Sequence, residues 1–268
     1  FFATSLPQGS LTLLKYADRL NQMPLGIVGI ALGTAILPML ARHIQSGDSR
    51  EAQRLQANAV EMATLLTIPA AAALAICAPA FVTAFFVGGK MTEANGTIMS
   101  SIVVALVAGL PSYVLVKVFQ PGFFSREDTR TPVWIAAGTL IVNIGVNIVI
   151  VPIYGIVGLA AATAFTSTLN VLALYTILQI RGWFLFTGKL AGRIARQIVA
   201  TAAMSGVLYM LMPLMADRYG GNVFERVWSL GLLCGAGMIV FFGVAYAIGA
   251  LDKDLLAQLR RRRSKPTA

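Results

Sequence analysis

Four polar residues of the segment KYADRLNQMP, residues 15–24, interrupt a long apolar region. Lys15 and Arg19 have an i, i+4 spacing, as do Asp18 and Gln22, so in a helix each pair shares a face. A charged side chain near the centre of a bilayer costs roughly 2.5–3.5 kcal/mol, which is tolerated where it faces a cavity or a partner. The alternative is an interfacial cluster that reaches the head groups, with Asp18 neutralising a neighbour. The residues alone leave both interpretations open.

A second polar pattern occurs in LIVNIGVNIVIVP, where Asn143 and Asn147 lie one helical turn apart. Thr163 and Ser167 have the same spacing in the next apolar segment. Such side chains on adjacent helices favour interhelical hydrogen bonds, and their oxygens are also ligands for a hard cation such as sodium. Hydrogen bonding is the favoured interpretation. Lys117, in VLVKVFQPG, is near a predicted helix end, where it either reaches the head groups or attracts a phosphate.

Catalytic motifs are absent from the sequence. It has no nucleophile with a nearby histidine, no HExxH, no glycine-rich phosphate loop and no acidic pair within a helix core. Cys77 and Cys234 lie in separate apolar segments without metal-ligand spacing, which predicts free buried thiols. His43 follows Arg42 at a predicted helix end, where a solvated position is expected. These observations favour a non-enzymatic function.

The net charge of +10 would suggest nucleic acid as a partner for a soluble protein. Here the basic residues are spread along one side of an apolar chain, so we expect no nucleic-acid binding. The run RRRRSK at residues 260–265 predicts an anchor on anionic lipid head groups, worth about 1 kcal/mol per residue near the surface.

The composition defines the fold class, because 57% of residues are apolar, 12% are charged and the mean hydropathy is +0.76. Seven apolar segments are each long enough for a helix to cross a hydrocarbon core about 30 Å thick. They span residues 11–41, 50–88, 97–124, 132–151, 155–181, 190–215 and 225–250. Segments such as GIVGIALGTAILPML are apolar on every face, which excludes barrel strands. The sequence predicts an all-α, polytopic membrane bundle of about seven helices.

Helix ends and breaks are marked by glycine, asparagine and proline, as in VPIYG at residues 151–155 and RYGGN at 218–222. Internal prolines such as Pro24 and Pro111 free a backbone carbonyl, so they predict close neighbours or a wet cavity. The polar segment QPGFFSREDTRTP, residues 120–132, is expected to form a turn whose charges pair locally.

The positive-inside rule sets the orientation of the seven spans. Assigning alternate loops to opposite sides puts sixteen of the twenty-one lysines and arginines on one side. This side is predicted to be cytoplasmic, together with the C-terminus and residues 120–132. Phe1 is then outside, and because residues 1–9 are too short to span a membrane, we expect the chain to be the C-terminal piece of a longer protein.

Three stretches carry a resemblance to a known family: YADRL at residues 16–20, PLGIVGIALGTAILP at 24–38 and VKVFQPGFFSREDTRTP at 116–132. In order and sequence they resemble the MurJ (MviN) family of lipid II flippases, which are similar to MATE-type transporters of the MOP superfamily. The resemblance implies that residues 1–181 form the second lobe of such a transporter. It implies further that residues 182–251 add two helices along a groove for the lipid tail, followed by a basic cytoplasmic tail at 252–268, and that the first lobe is missing.

The resemblance also implies roles for the polar residues. Arg19 matches a cavity arginine that pairs with the pyrophosphate of lipid II, with Asp18 and Gln22 as neighbours that tune it. Lys15 and Lys117 join this substrate-binding set by their charge. Asn143, Asn147 and Thr163 fall where some members bind sodium, although the carboxylate expected at position 147 is asparagine here.

The expected function is therefore flipping of lipid II across the bacterial inner membrane by alternating access, driven by the membrane potential or an ion gradient. The expected partners are lipid II, membrane lipids, the missing N-terminal lobe and proteins of cell-wall synthesis or division. No cofactor is expected beyond sodium or another coupling ion. Three alternatives remain: another MOP-type exporter, such as a polysaccharide flippase or a drug or cation antiporter; an enzyme acting on polyprenyl phosphates; and a structural partner of the division machinery.

Overall fold

The computed structural model describes residues 9–87, 91–214 and 223–250, and nearly all of them are helical. The basic run at residues 260–265 and the break predicted at 218–222 lie outside these ranges. The helices are α1 Ser10–Leu25, α2 Ala31–Gln45, α3 Ser49–Phe85, α4 Glu93–Val107, α5 Leu110–Phe124, α6 Arg130–Ile180, α7 Gly188–Leu214 and α8 Val223–Ala247, with a π-helical turn, Gly26–Ile30, between α1 and α2. The predicted all-α membrane bundle is confirmed.

The first predicted span, residues 11–41, is not one continuous α-helix. α1 and α2 are joined through the π-helical turn Gly26–Ile30, which begins two residues after Pro24. Proline has no N–H, so one of the regular backbone hydrogen bonds of the helix is missing at this point. A π-helical turn can accommodate such a local irregularity within a helix. The expected span is present, with a break near its middle.

The long helix α6 is a hairpin of two spans. Gly155 has φ 57° and ψ −136°, a backbone conformation that glycine adopts readily because it has no Cβ. It separates an arm of residues 130–154 from an arm of residues 156–180. Asn143 Nδ2 donates to Thr166 Oγ1 at 2.9 Å, and Asn170 Nδ2 donates to Thr139 Oγ1 at 3.3 Å, so the arms run antiparallel. The break predicted from VPIYG and the interhelical hydrogen bonding predicted for Asn143 are confirmed.

The predicted span 97–124 is also interrupted, because α4 ends at Val107 and α5 begins at Leu110. Pro111 stands at the start of α5, and Gly109 lies in the break. A Cβ on Gly109 would come within 2.8 Å of the Ala164 Cα, so the absence of a side chain lets α6 approach closely. Residues Glu93–Phe124 together still have the length and hydropathy of a single membrane span.

Helix α3 is the central helix of the described bundle. Three clusters of buried apolar side chains each include residues of α3: Ala59 in the first, Ala78 in the second and Cys77 in the third. The third cluster joins α3 to α7 and α8, and α7 packs mainly on α3 and α8. The division of the chain at residue 181 stays a prediction.

Helices α2 and α5 and the second arm of α6 all end on the same side of the bundle. We call this side the basic end. Here Asp128 pairs with the Arg181 guanidinium, and both Arg181 and Arg126 lie 4.8 Å from the centroid of the Trp183 ring. The expectation that the charges of residues 120–132 pair among themselves is wrong for Asp128, because its ionic partner Arg181 lies outside this segment. Its carboxylate reaches across the α6 hairpin because the two arms return to the same end.

Asp128 also caps the start of α6, accepting hydrogen bonds from the Thr131 N–H at 3.0 Å and the Thr131 hydroxyl at 2.7 Å. These bonds, with a smaller contribution from Arg181, lower the pKa of Asp128 from its ordinary 3.8 to about 2. A lowered folded-state pKa stabilises the fold above the unfolded pKa, and that stabilisation is lost as pH falls through the folded pKa.

We expect Asp128→Asn to lower the melting temperature at pH 7 by about 2–4 °C, because hydrogen bonds to a charged group are stronger by about 1 kcal/mol than those to a neutral amide. The difference from the wild type should shrink between about pH 4 and pH 2, where Asp128 takes up a proton. Thermal unfolding in detergent across this range checks both. Glu127→Gln, at an exposed neighbouring position, is the matched control. Equal melting curves for wild type and Asp128→Asn at pH 7 would contradict a stabilising role for the negative charge of Asp128.

Candidate functional site

The polar face of α1 lies opposite its packed face. Ala17, Leu20 and Asn21 are buried, and α1 packs mainly on α4. Lys15 and Arg19 are exposed on the other side. The i, i+4 spacing thus produces one apolar and one polar face, as the sequence predicted.

The side chains of this polar face are only partly tied to one another. Gln22 Nε2 donates to Asp18 Oδ2 at 2.5 Å, which orients that carboxylate along the helix. Within the described residues, no carboxylate forms an ion pair with Arg19 or Lys15. An unpaired guanidinium presents a planar fork of N–H donors, which matches two oxygens of a phosphate or diphosphate. The face is therefore suited to an anionic ligand.

Lys117 lies apart from α1, against the π-helical turn. A Cβ on Gly29 would lie 3.0 Å from Lys117 Cδ and 3.6 Å from Lys117 Nζ, so the lysine stem crosses the turn where glycine leaves room for it. The side chain is half-buried. The structure joins Lys117 to the break in the first span, a contact that the sequence did not indicate.

A groove of about 590 Å³ runs along α3, lined almost entirely by apolar side chains. Its walls come from α3, α7 and α8, and α1 closes one side through Leu20, Met23 and Pro24. Small residues widen it, among them Ala70 and Ala73 of α3. The sequence indicated α7 and α8 as groove helices but missed the contributions of α1 and α3.

Both cysteines of the chain line this groove, Cys77 from α3 and Cys234 from α8. Cys77 is buried, as predicted, whereas Cys234 is exposed. The prediction of two buried thiols is wrong for Cys234 because its side of α8 faces the open groove rather than a packed neighbour. Neither thiol is in a disulfide.

The groove and the polar face lie on different sides of the same helix. Leu20 lines the groove, and it directly follows Arg19 in the sequence. A ligand with a long apolar chain and an anionic head could thus contact both surfaces by crossing α1. The groove provides an apolar environment for the chain of such an amphiphile, and the polar face provides a polar environment for its head.

The three residues predicted as a sodium site are only partly brought together. Asn147 Nδ2 donates to Asn143 Oδ1 at 2.9 Å, and Asn143 in turn donates to Thr166. Thr163 is exposed, and its hydroxyl bonds its own helix at the Leu159 carbonyl. The sequence did not single out Thr166 as the partner of Asn143. Thr163, Thr166 and Ser167 could each face Asn143, and only the rotation of the second arm of α6 decides among them. Asn147 Oδ1 is buried without a hydrogen-bond partner in the described structure.

A family profile described as "Lipid II flippase MurJ" matches residues 1–228. The chain is 36% identical over 97% of its length to a "Probable lipid II flippase MurJ" of Rhizobium tropici, covering 50% of that protein. It is 35% identical over 96% of its length to a protein of the same name from Vibrio cholerae serotype O1, covering 49% of it. The chain thus spans about half the length of the curated relatives it matches.

The fold is similar to that of a solved structure named "Lipid II flippase MurJ, inward closed conformation". The two superpose with a TM-score of 0.74 at 23% identity, over 93% of this chain and 49% of the other. This similarity confirms the fold, and a description as one lobe of a MATE-like transporter with added helices is consistent with it. Sequence identity, the family profile and the fold agree with the resemblance carried by residues 16–38 and 116–132, and the chain belongs to the MurJ family of lipid II flippases.

Proposed function

We propose that this chain supplies the second lobe and the tail-binding helices of a flippase that moves lipid II across the bacterial inner membrane. The observation that carries the proposal is that α1 borders an apolar groove on one side and presents on another an arginine without an ion-pair partner among the described residues. Lipid II has both parts that these two surfaces would bind, a polyprenyl chain and a diphosphate. Membership of the MurJ family supports the same substrate.

In this proposal the head group binds to the polar face of α1. Arg19 holds the diphosphate through two charge-assisted hydrogen bonds, and Lys15 adds a second positive charge on the same face. Asp18 and Gln22 hold each other in position through their hydrogen bond, and both can contact the sugars of the head group. Lys117 contributes positive charge at the π-helical turn, where a break in the span allows the helix to bend.

The polyprenyl chain stays in the groove while the head group crosses. The groove walls are as apolar as the lipid tails of the bilayer, so the chain can pass from lipid into the groove without contact with water. Keeping the tail outside the head-group compartment avoids transferring a large apolar surface through water.

We propose alternating access as the mechanism, with the basic end of the bundle and the C-terminus in the cytoplasm. The excess of lysine and arginine at that end supports this orientation. Reorientation is driven by the membrane potential or an ion gradient, because about 2.3 kcal/mol is available per charge moved across 100 mV. The protein acts as a transporter, with cell-wall synthesis and division proteins as its further partners.

A cation antiporter of the same superfold would need an ionisable acid within its spans. Glu61 of α3 is such an acid, 4% exposed, but its carboxylate is paired with Arg193 at 2.6 Å. A carboxylate whose oxygen is already hydrogen-bonded to a guanidinium is poorly suited to hold a second cation. The pairing favours a flippase over an antiporter.

We propose that flipping is independent of sodium at Asn143 and Asn147. Asn143 Oδ1 is already satisfied by Asn147, and no carboxylate is present at position 147 to attract a cation. Replacing external sodium by potassium is expected to change the flipping rate less than about twofold. Asn147→Asp restores a carboxylate and should make the rate depend on sodium. A tenfold loss of wild-type activity without sodium would contradict this proposal and support a site at Asn143, Asn147 and Thr163.

The function is tested by reconstituting the full-length protein into liposomes with fluorescent lipid II in one leaflet. We expect the label to become accessible on the other side, at least tenfold faster than in protein-free liposomes. A drug cation and an undecaprenyl-linked O-antigen unit serve as competing substrates. Transport of either of these without lipid II would favour the exporter alternatives. No movement of any of the three would contradict a transport function.

A further inference from the structure

A buried ion pair joins α3 to α7. Arg193 Nη1 donates to Glu61 Oε2 at 2.6 Å, and the side chains of Glu61 and Arg193 are 4% and 30% exposed. Gln197, one turn further along α7, is fully buried and donates from Nε2 to the Glu61 carbonyl at 3.3 Å. Two further ion pairs, Arg54–Glu51 and Arg181–Asp128, lie near helix ends. The Glu61 pair lies inside two predicted spans.

The pair is located between the basic end and the apolar groove. On α3, Leu65 is the first residue to line the groove, and it follows Glu61 by one turn. On α7, Met204 and Leu208 line the groove, further from the basic end than Arg193. The ion pair thus lies next to the groove, on the side of the basic end of the bundle.

The third cluster also joins α3 and α7 through apolar and small side chains, such as Ala200 and Met204. In a bilayer such contacts select a helix register weakly, because lipid tails are as apolar as the side chains they replace. A slide of α7 by one turn would keep apolar packing but would leave Glu61 buried without its cation, which is costly. The polar contacts therefore determine the register.

We propose that Glu61 and Arg193, with Gln197, form a register clamp: positioning residues that fix α7, and with it α8, on α3 and so set the width of the tail groove. α8 follows α7 because the two pack extensively on each other, and α8 supplies the groove wall that contains Cys234. The inference rests on the proposed flippase function for its consequence, transport of a long-tailed lipid. The clamp itself is a statement about geometry, and it can be tested without transport.

The two natural cysteines report on that geometry, since Cys77 and Cys234 line the groove from α3 and α8. The full-length protein is used, with any cysteine outside this chain replaced. A membrane-permeant bifunctional thiol reagent of fixed length measures cross-linking between α3 and α8 in native membranes. The variants are Glu61→Gln, Arg193→Gln, the double variant Glu61→Gln with Arg193→Gln, and the charge swap Glu61→Arg with Arg193→Glu. Arg54→Gln, which removes an exposed ion pair, is the matched control.

We expect each single variant to lower the cross-linking yield at least threefold and lipid II flipping at least fivefold. The double variant and the charge swap should recover both to within twofold of wild type, since an amide pair or a reversed ion pair again fixes the register. A lowered melting temperature alone, with wild-type cross-linking in the single variants, would overturn the clamp, as would failure of both double variants to recover. If the single variants do not accumulate, the two double variants decide. A protein that cross-links as expected but does not flip lipid II refutes the proposed function and leaves the clamp intact.

Discussion

Replacing Arg19 by alanine is expected to lower lipid II flipping about 100-fold in the full-length protein. Arg19 forms no ion pair with the described residues, so its guanidinium is available for the diphosphate. Two charge-assisted hydrogen bonds to a phosphate contribute about 1.5–3 kcal/mol each, and a change of 1.4 kcal/mol is tenfold. Arg19→Lys keeps the charge but loses the bidentate fork, so an intermediate loss of about tenfold is expected. The measurement is transport of fluorescent lipid II in liposomes.

Arg54→Ala is the matched control for this prediction. Arg54 is an exposed arginine at the start of α3, and its side chain is 75% exposed. Its removal should change the flipping rate less than twofold, because it lies away from the polar face of α1. Full activity of Arg19→Ala would remove the electrostatic basis of the proposed function, whereas equal losses in both arginine variants would point to the total charge of the protein instead.

Replacing Ala73 by tryptophan is expected to lower flipping tenfold to 100-fold by filling the tail groove. Ala73 lines the groove from α3, where a small side chain leaves space for a ligand. An indole there would overlap with a bound polyprenyl chain, and steric overlap in a filled apolar space costs about 1–3 kcal/mol. Flipping should be measured with the natural long tail and with a farnesyl-tailed analogue. The long-tailed substrate should lose much more, because the short tail occupies less of the groove.

Ile141→Trp is the matched control for the groove variant. Ile141 is on the outer side of α6 and is 71% exposed, so an indole at this position should face lipid. Its flipping rate should remain within twofold of wild type. Equal losses for long and short tails in Ala73→Trp would show that the substitution disturbs the bundle rather than the binding of the tail.

The two predictions depend on different physical interactions. Arg19 acts through charge and would respond to the head group, while Ala73 acts through apolar contact area and would respond to tail length. Because Leu20 in the groove directly follows Arg19 on α1, the two effects should combine in a single substrate molecule. A diphosphate without a tail should therefore bind weakly, as should a tail without a diphosphate.

The sequence by itself was sufficient to predict how many segments span the membrane and where they lie along the chain. Long apolar segments and their glycine and proline breaks are local features, so the hairpin break at Gly155 followed from VPIYG. The polar and packed faces of α1 also followed from local periodicity, since Lys15 and Arg19 share a face whatever the helix packs against. The three quoted stretches were sufficient to indicate the family.

The tertiary structure alone decided which distant residues meet. Glu61 and Arg193 are 132 positions apart, and nothing in either local sequence indicates the other. Thr166 rather than Thr163 contacts Asn143 because the rotation of one arm of α6 against the other is set by packing. The groove likewise takes walls from α1 and α3, which are far from α7 and α8 in the chain. Hydropathy encodes how each helix relates to lipid, but register and rotation between helices depend on side-chain contacts that form only in the assembled bundle.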